Sequence, residues 1–156
     1  MNIRIAESTD PDVIAPLNEP VQEEHQERRP DWFKPYNAEV VREFVETMVD
    51  RADARFLVAY VDENPAGYVL LLTQNRQEST LRFADRSLTI DQMSVNPEFR
   101  RLGVGDALMK HVREIARDES FDRIRLTVWS DNESAIAFYE QMGFKTFRET
   151  MELPLD

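Results

Sequence analysis

The stretch Asn96–Val112, NPEFRRLGVGDALMKHV, decides how this chain is read. Before it, apolar residues alternate as in a strand, and Pro97 removes a ladder donor and ends the run. From Gly103 onward the period changes to that of a helix. Val104, Leu108, Val112 and Ile115 make one apolar face, with Lys110, Arg113, Glu114 and Arg117 outside. The chain has four glycines, and two of them, Gly103 and Gly105, stand at the opening of this helix behind Arg100 and Arg101. A strand, a short turn and glycines at a helix start form an arrangement that binds anions. First-turn N–H groups have no intrahelical partner, and the helix dipole adds about half a positive charge. Glycine removes the Cβ that would hold a phosphate away, and the two arginines can add charge-assisted bonds. A dinucleotide fingerprint needs Gly or Ala at position 108, and a Walker loop needs Gly there. Leu108 excludes both. The competing reading is a strand–helix turn whose glycines serve packing.

Working outward, NIRIA reads as a first strand. The following TDPDVIAPLNEPVQEEHQERRPDWF is helical in composition but cut by Pro16, Pro20 and Pro30, which predicts two short helical pieces. NAEVVREFVETMVDRAD is an amphipathic helix with Asn37 as N-cap and Val40, Val41, Phe44, Val45 and Met48 as its apolar stripe. RFLVAYVDENPAGYVLLLTQ reads as a hairpin turning at DENPAG, and TLRFADRSLTIDQMSV as a second strand pair. After the glycine-opened helix come a strand, RIRLTVWS, a helix, NESAIAFYEQMG, ended by Gly143, and a last strand, FKTFRETMELPL. The expected fold class is α/β (α+β), a mixed and mostly antiparallel twisted sheet flanked by helices. The expected order is β-α-α-β-β-β-α-β-α-β in one domain, 1–156.

The 156 residues carry 19 Lys and Arg against 30 Asp and Glu, a formal net charge of −11. Such a surface opposes binding to nucleic-acid backbones and favours cationic partners. Cysteine is absent, which removes disulfides, thiolate nucleophiles and zinc sites built on Cys. His25 and His111 are the only histidines and no HExxH spacing occurs, so no metal site is expected. No signal-peptide core and no run of about 18 apolar residues is present, so neither membrane insertion nor export is expected, and the cytoplasm is the expected compartment.

A second constellation is NESAIAFYEQMGF, Asn132–Phe144. Asn132 is a plausible N-cap, and Ala135, Phe138, Tyr139 and Met142 recur at helical spacing. They read as a core-facing stripe, with Tyr139 also able to bring its hydroxyl to a cleft. Together with Arg100-Arg101-Leu102-Gly103-Val104-Gly105, which fits R/Q-x-x-G-x-G/A, this stretch resembles the GNAT family of N-acetyltransferases. NESAIAFYEQMGF is similar to that family's second signature, and the resemblance covers roughly residues 55–150.

The resemblance implies acetyl-CoA as co-substrate and no metal. It implies that CoA pyrophosphate sits on backbone N–H groups of Arg101 to Asp106, with Arg100 and Asn132 assisting. The pantetheine arm would add like a strand beside Met93, Ser94 and Val95. The Met93 N–H would face the tetrahedral oxyanion, and Tyr139 would supply a proton to the leaving thiolate. The implied base is Asp91, whose alternative is a strand carboxylate paired with an arginine. His25 and Glu27 are weaker candidates, and His111 reads as surface. Trp32, Phe33 and Tyr36 read either as walls of a cleft for a cationic acceptor or, for Trp32 and Phe33, as staples of the N-terminal helices. Relatives acting on ribosomal-protein N-termini carry Glu within LEV; here the run is LTV with Thr127, which argues against that substrate. The expected partner is a small-molecule amine. Acetylation of a protein lysine or N-terminus and a non-catalytic CoA-binding module are the alternatives. The oligomeric state stays open, a homodimer being common among relatives.

Overall fold

Phe56, Leu57, Val58 and Ala59 are buried at four consecutive positions, which a strand achieves only with both faces covered. The computed structural model describes residues 1–156 and shows how that cover is built. Strand β1 (Ile3–Ser8) precedes helices α1 (Pro11–Leu17), α2 (Glu19–Arg28) and α3 (Ala38–Val49). Then come β2 (Ala54–Val61), β3 (Asn64–Arg76) and β4 (Asp85–Val95), a 3-10 turn at Pro97–Phe99, α4 (Val104–Asp118), β5 (Arg123–Leu126) and α5 (Glu133–Gln141). By its internal contacts the chain forms two units, Met1–Leu126 and Thr127–Asp156.

The first unit holds one sheet in the order β1-β2-β3-β4-β5. Its first three pairings are antiparallel and β4–β5 is parallel, so the sheet is mixed and mostly antiparallel as expected. On one face Phe56, Val58, Tyr68 and Leu70 pack with Ile14, Ala15 and Leu17 of α1 and Val45 and Met48 of α3. Helix α4 packs against β1, β2 and β3 and buries Val104, Leu108, Met109, Val112 and Ala116, close to the stripe read from the sequence. Side chains alternate across a strand, so these two helical layers use alternate residues of β2 and β3.

The N-terminal proline-cut region forms two short helices, as its composition suggests, with Asp10 capping α1 through the Asp12 N–H. Asn37 caps α3 by accepting from the Val40 N–H. The α3 stripe is narrower than read: Val45 and Met48 are buried, while Val40 and Phe44 reach solvent. The β2–β3 turn is made by Asp62 and Glu63, both at positive φ, and Asn64 already belongs to β3. Two left-handed residues match the twist of a two-residue hairpin, and a short polar side chain such as Asp tolerates that region well.

The expected element order needs two corrections. Three helices, not two, separate β1 from β2, and the last strand does not form. FKTFRETMELPL has a strand's alternation, but Phe147, Met151 and Leu153 are 66%, 92% and 83% exposed. A strand exists only through its ladder, and this segment, with Pro154 removing a donor, pairs with none. TLRFADRSLTIDQMSV likewise supplies one strand instead of two. The chain reverses at Ser79–Arg82, where the Ser79 N–H donates to the Arg82 carbonyl, and β4 starts at Asp85. RIRLTVWS pairs only through Arg123–Leu126, because β4 changes register just past Ile90.

Gly67 is the tightest glycine in the sheet. A Cβ there would lie 2.6 Å from the Ser94 carbonyl oxygen, a backbone atom of β4. Gly67→Ala must therefore push the two strands apart, and we expect a loss of roughly 1–3 kcal/mol in chemical denaturation. A variant as stable as the parent would show that β4 yields at no cost.

Candidate functional site

β4 carries one residue more than β3 can pair. Leu70 pairs with Gln92 and Leu71 with Ile90, so Asp91 is the extra residue of a β-bulge. The bulge resets side-chain parity. Thr89 pairs with Leu72 and Gln92 with Leu70, which puts Thr89, Asp91 and Gln92 toward the α1–α3 face. The parallel ladder with β5 ends at the Ile90–Leu126 pair, one residue earlier.

Backbone alternation fixes what the rest of β4 presents. The Asn96 N–H donates to the Ala66 carbonyl, so Asn96 and, two back, Ser94 turn their backbone groups toward β3. Met93 and Val95 therefore turn theirs to the opposite edge. Consistent with this, the Val95 carbonyl accepts from Arg100 Nε at 3.0 Å, outside the β3 ladder. Of the three β4 residues singled out from the sequence, Met93 and Val95 reach that edge. Ser94 does not, and its side chain is buried with an unmet Oγ.

After β4 the chain turns through Pro97 and enters α4. Arg101 and Gly103 both hold positive φ, 63° and 90°. Gly103 is the N-cap of α4 and supplies no side-chain cap, unlike Asp10, Asn37 and Asn132 at α1, α3 and α5. A Cβ on Gly103 would meet nothing within 4 Å, so open space lies over the cap. The N–H groups of Val104, Gly105 and Asp106 lie in the first turn, where no intrahelical acceptor exists. Val104 is itself buried, so only its backbone is on offer. Leu102 is partly exposed on this loop. Arg100 lies elsewhere: its guanidinium ties the Val95 carbonyl to Glu24 of α2 at 3.0 Å each, making it a strut between β4 and α2.

Asp91 is reached by solvent, yet surrounding protein raises its pKa above the usual carboxylate value, with the Arg51 charge opposing the rise. Arg51 itself is held by both oxygens of Asp53. Beside Asp91, the Gln92 side chain accepts from the Tyr68 hydroxyl at 2.7 Å, and that hydroxyl accepts from Asn18 Nδ2 at 2.9 Å. Burial drives the Tyr68 pKa upward, so it stays a neutral phenol. Sequence reasoning missed Asn18, Tyr68 and Gln92. The one available signal was a lone tyrosine in the aliphatic run AGYVLLL.

On α2, His25 stacks on Phe33 with ring centroids 4.7 Å apart, and burial lowers its pKa. A mostly neutral imidazole in a ring stack reads as a packing element. Trp32 is 63% exposed beside Arg29, so it is no core staple. Glu19, Glu23, Gln26, Glu27, Pro35 and Tyr36 line an open hollow of about 440 Å³. His111 lies on the outer side of α4 near Glu114. No group of three or more His, Cys, Asp or Glu is placed to hold a metal ion.

In the second unit, Asn132 caps α5 by accepting from the Ala135 N–H. The helix ends in a left-handed Gly143, φ 99°, with the Gly143 N–H on the Glu140 carbonyl and the Phe144 N–H on the Tyr139 carbonyl. This pair of bonds is a Schellman stop, and its apolar contact is the Phe144 ring edge-on to Tyr139 at 5.5 Å. Phe138 flanks Tyr139 at 5.2 Å. Burial raises the Tyr139 pKa to about 12. The Asn, Tyr, Gly and Phe of the sequence signature are thus also the cap, brace and stop of one helix.

Residues 21–144 match the model of the Acetyltransferase (GNAT) family. The chain belongs to the acetyltransferase (GNAT) family. Among curated proteins it is similar to N-alpha-acetyltransferase 50 of Danio rerio, 34% identical over 89 residues, 56% of this chain and 49% of that protein. It is also similar to thialysine N-epsilon-acetyltransferase of Caenorhabditis elegans, 29% identical over 87 residues, 56% of this chain and 51% of that one. The chain spans about half the length of the curated relatives it matches. A solved structure of a tetramutant of the BH1408 protein from Bacillus halodurans is 25% identical with a TM-score of 0.90, covering 99% of this chain and 100% of that one. The fold is therefore shared with that structure over nearly the whole chain. No helix is long and apolar enough to cross a membrane.

The Schellman stop makes Gly143 costly to replace. We expect Gly143→Ala to lower unfolding stability by about 1–2 kcal/mol through left-handed strain, and Gly143→Asn to lose less. Equal losses for both in urea titrations would mean that the cost lies elsewhere.

Proposed function

We propose that this GNAT-family chain is an N-acetyltransferase that moves acetyl from acetyl-CoA directly onto a primary amine of a small acceptor. The observation that supports it most is the junction of β4 with α4. A strand whose Met93 and Val95 backbone groups turn away from β3 runs, through one proline turn, into an uncapped helix start with open space over Gly103. The first feature suits an extended amide-bearing chain added at a sheet edge, the second a phosphate. CoA carries both, and acetyl-CoA brings the thioester that is the acyl source.

In this reading the first-turn amides of Val104, Gly105 and Asp106, with those of Arg101 to Gly103, hold the pyrophosphate. Asp91 takes a proton from the acceptor ammonium, directly or through water. Its raised pKa narrows the gap to an amine near 10.4. The amine nitrogen then bonds to the acetyl carbon, and the Met93 N–H stabilises the oxyanion. Collapse breaks the C–S bond and releases thiolate, while the second proton of the attacking nitrogen leaves to solvent water to give the neutral amide. Tyr139, its pKa about 12, keeps its proton through neutral pH and donates a hydrogen bond to the sulfur. Complete transfer to a thiolate whose thiol sits near 8.5 is uphill, so the phenol stabilises charge and returns to its own proton. Asn132 acts here as the cap that orients α5.

The amine class is consistent with the N-alpha and N-epsilon transfers that the relatives are named for. The net charge of −11 favours a cationic acceptor. Thiol release measured across polyamines, amino acids, lysine peptides and N-terminal peptides separates small-molecule from protein acceptors. Binding of acetyl-CoA without turnover on all of them would favour the non-catalytic module.

Two measurements check the assignment. Calorimetric titration with acetyl-CoA should show one-to-one micromolar binding that Gly105→Glu abolishes. Glu is tolerated in a helix first turn, so the loss reports phosphate exclusion and not unfolding. A wild type that binds nothing would remove the reading. For the base, the acid limb of kcat/KM should follow Asp91. Arg51 lowers that pKa, so Arg51→Ala should move the limb to higher pH, and Asp91→Asn should abolish it. A limb that ignores both variants places the base elsewhere.

A further inference from the structure

We infer that Gln92 is an acceptor-binding residue whose side-chain amide N–H selects amines bearing a hydroxyl or carbonyl oxygen close to the amine nitrogen. The inference rests on the reading of Asp91 as the group facing that nitrogen.

The argument is a proton count. A tyrosine hydroxyl has one hydrogen. Tyr68 receives the Asn18 Nδ2–H at 2.9 Å, so its own hydrogen goes to its other partner, Gln92, at 2.7 Å. The Gln92 atom that receives it must be the carbonyl oxygen, and the NH2 group is left facing away from Tyr68. Turning the whole relay over would place two buried Asn18 N–H groups where one unmet Oδ1 now stands. As it stands the relay leaves one Asn18 N–H and the Oδ1 without a partner, and turned over it would leave both N–H groups without one. Orphaned buried donors are rarer than orphaned acceptors, which supports the observed polarity. Asn18 is 5% exposed and Tyr68 1%, so the first two members of the relay are locked in the core.

Gln92 is only part-buried, and its NH2 group reaches solvent on the face it shares with Asp91. The two residues are consecutive at the bulge, with Cα atoms about 3.8 Å apart. A carboxylate and an amide donor so close on one face recognise a donor and an acceptor that lie within a few bonds of each other. An amino alcohol or α-amino carbonyl offers that pair; a plain alkylamine offers only the nitrogen. An apolar oxygen-free acceptor would leave the Gln92 N–H groups desolvated and unmet, which is the way such sites discriminate.

The test reads binding, not turnover. The Gln92 side-chain amide pair is assigned in a ¹⁵N–¹H spectrum by its absence in Gln92→Glu. CoA-bound protein is then titrated with ethanolamine, glycinamide and ethylamine. The pair should move with the first two and not with ethylamine, and the oxygenated amines should bind about tenfold more tightly. Gln92→Met should abolish that preference, weakening the oxygenated amines and tightening ethylamine, whose binding no longer leaves an amide donor unmet. Tyr68→Phe, which lets the amide turn, should reduce the preference partway. An unmoved resonance at the highest amine concentration, or a preference that survives Gln92→Met, overturns the inference. Absence of thiol release with every acceptor falls instead on the acetyltransferase reading.

Discussion

One surplus residue in β4 constrains everything around the candidate site. Because Asp91 has no partner in β3, the strand must shift parity there, and three consequences follow from the same shift. The parallel ladder with β5 stops at Ile90. Asp91 and Gln92 come out on one face. Met93 and Val95 turn their backbone groups away from β3. A bulge bends a strand and re-aims side chains and backbone groups, and here it does both.

The surroundings of the bulge are built to hold it. Gly67 lets β3 approach so closely that a single methyl would touch the Ser94 carbonyl. The Asn18–Tyr68–Gln92 relay pins the helix-side face from within the core, at the cost of one unmet Asn18 oxygen. Arg100 spans from the Val95 carbonyl to Glu24, tying the end of β4 to α2. α2 buries no residue fully, and its Gln22 reaches the Lys34 carbonyl to hold the following loop. Polar ties thus help hold the element that borders the open hollow.

Electrostatics around the chemistry run in two directions. Burial raises Asp91 and Tyr139, making the carboxylate a stronger base and the phenol a firmer holder of its proton. The Arg51 charge opposes that rise at Asp91. At α4 the positive end of the dipole is left without a side-chain cap, whereas α1, α3 and α5 are capped by Asp or Asn. The start of α2, at Asn18, likewise has no side-chain cap.

The sequence by itself determined the helices and the signature positions, because their causes are local. Asn37, Asn132 and Gly143 act through bonds within four residues, and the switch of period at Gly103 is a property of neighbouring side chains. The hairpin strands were legible for the same reason, in the β-rich apolar runs RFLVAYV and YVLLL flanking DENPAG. Tertiary structure alone decided the rest. Alternation made FKTFRETMELPL look like a strand, but a ladder partner sits far away in sequence and that segment has none. The bulge at Asp91 is a mismatch between two strands, invisible in either. The direction of the Gln92 amide depends on Asn18, 74 positions earlier, through a tyrosine proton; Arg100 reaches Glu24 instead of the helix start. Register, bulges and proton direction are relations between distant segments, and only the folded chain sets them.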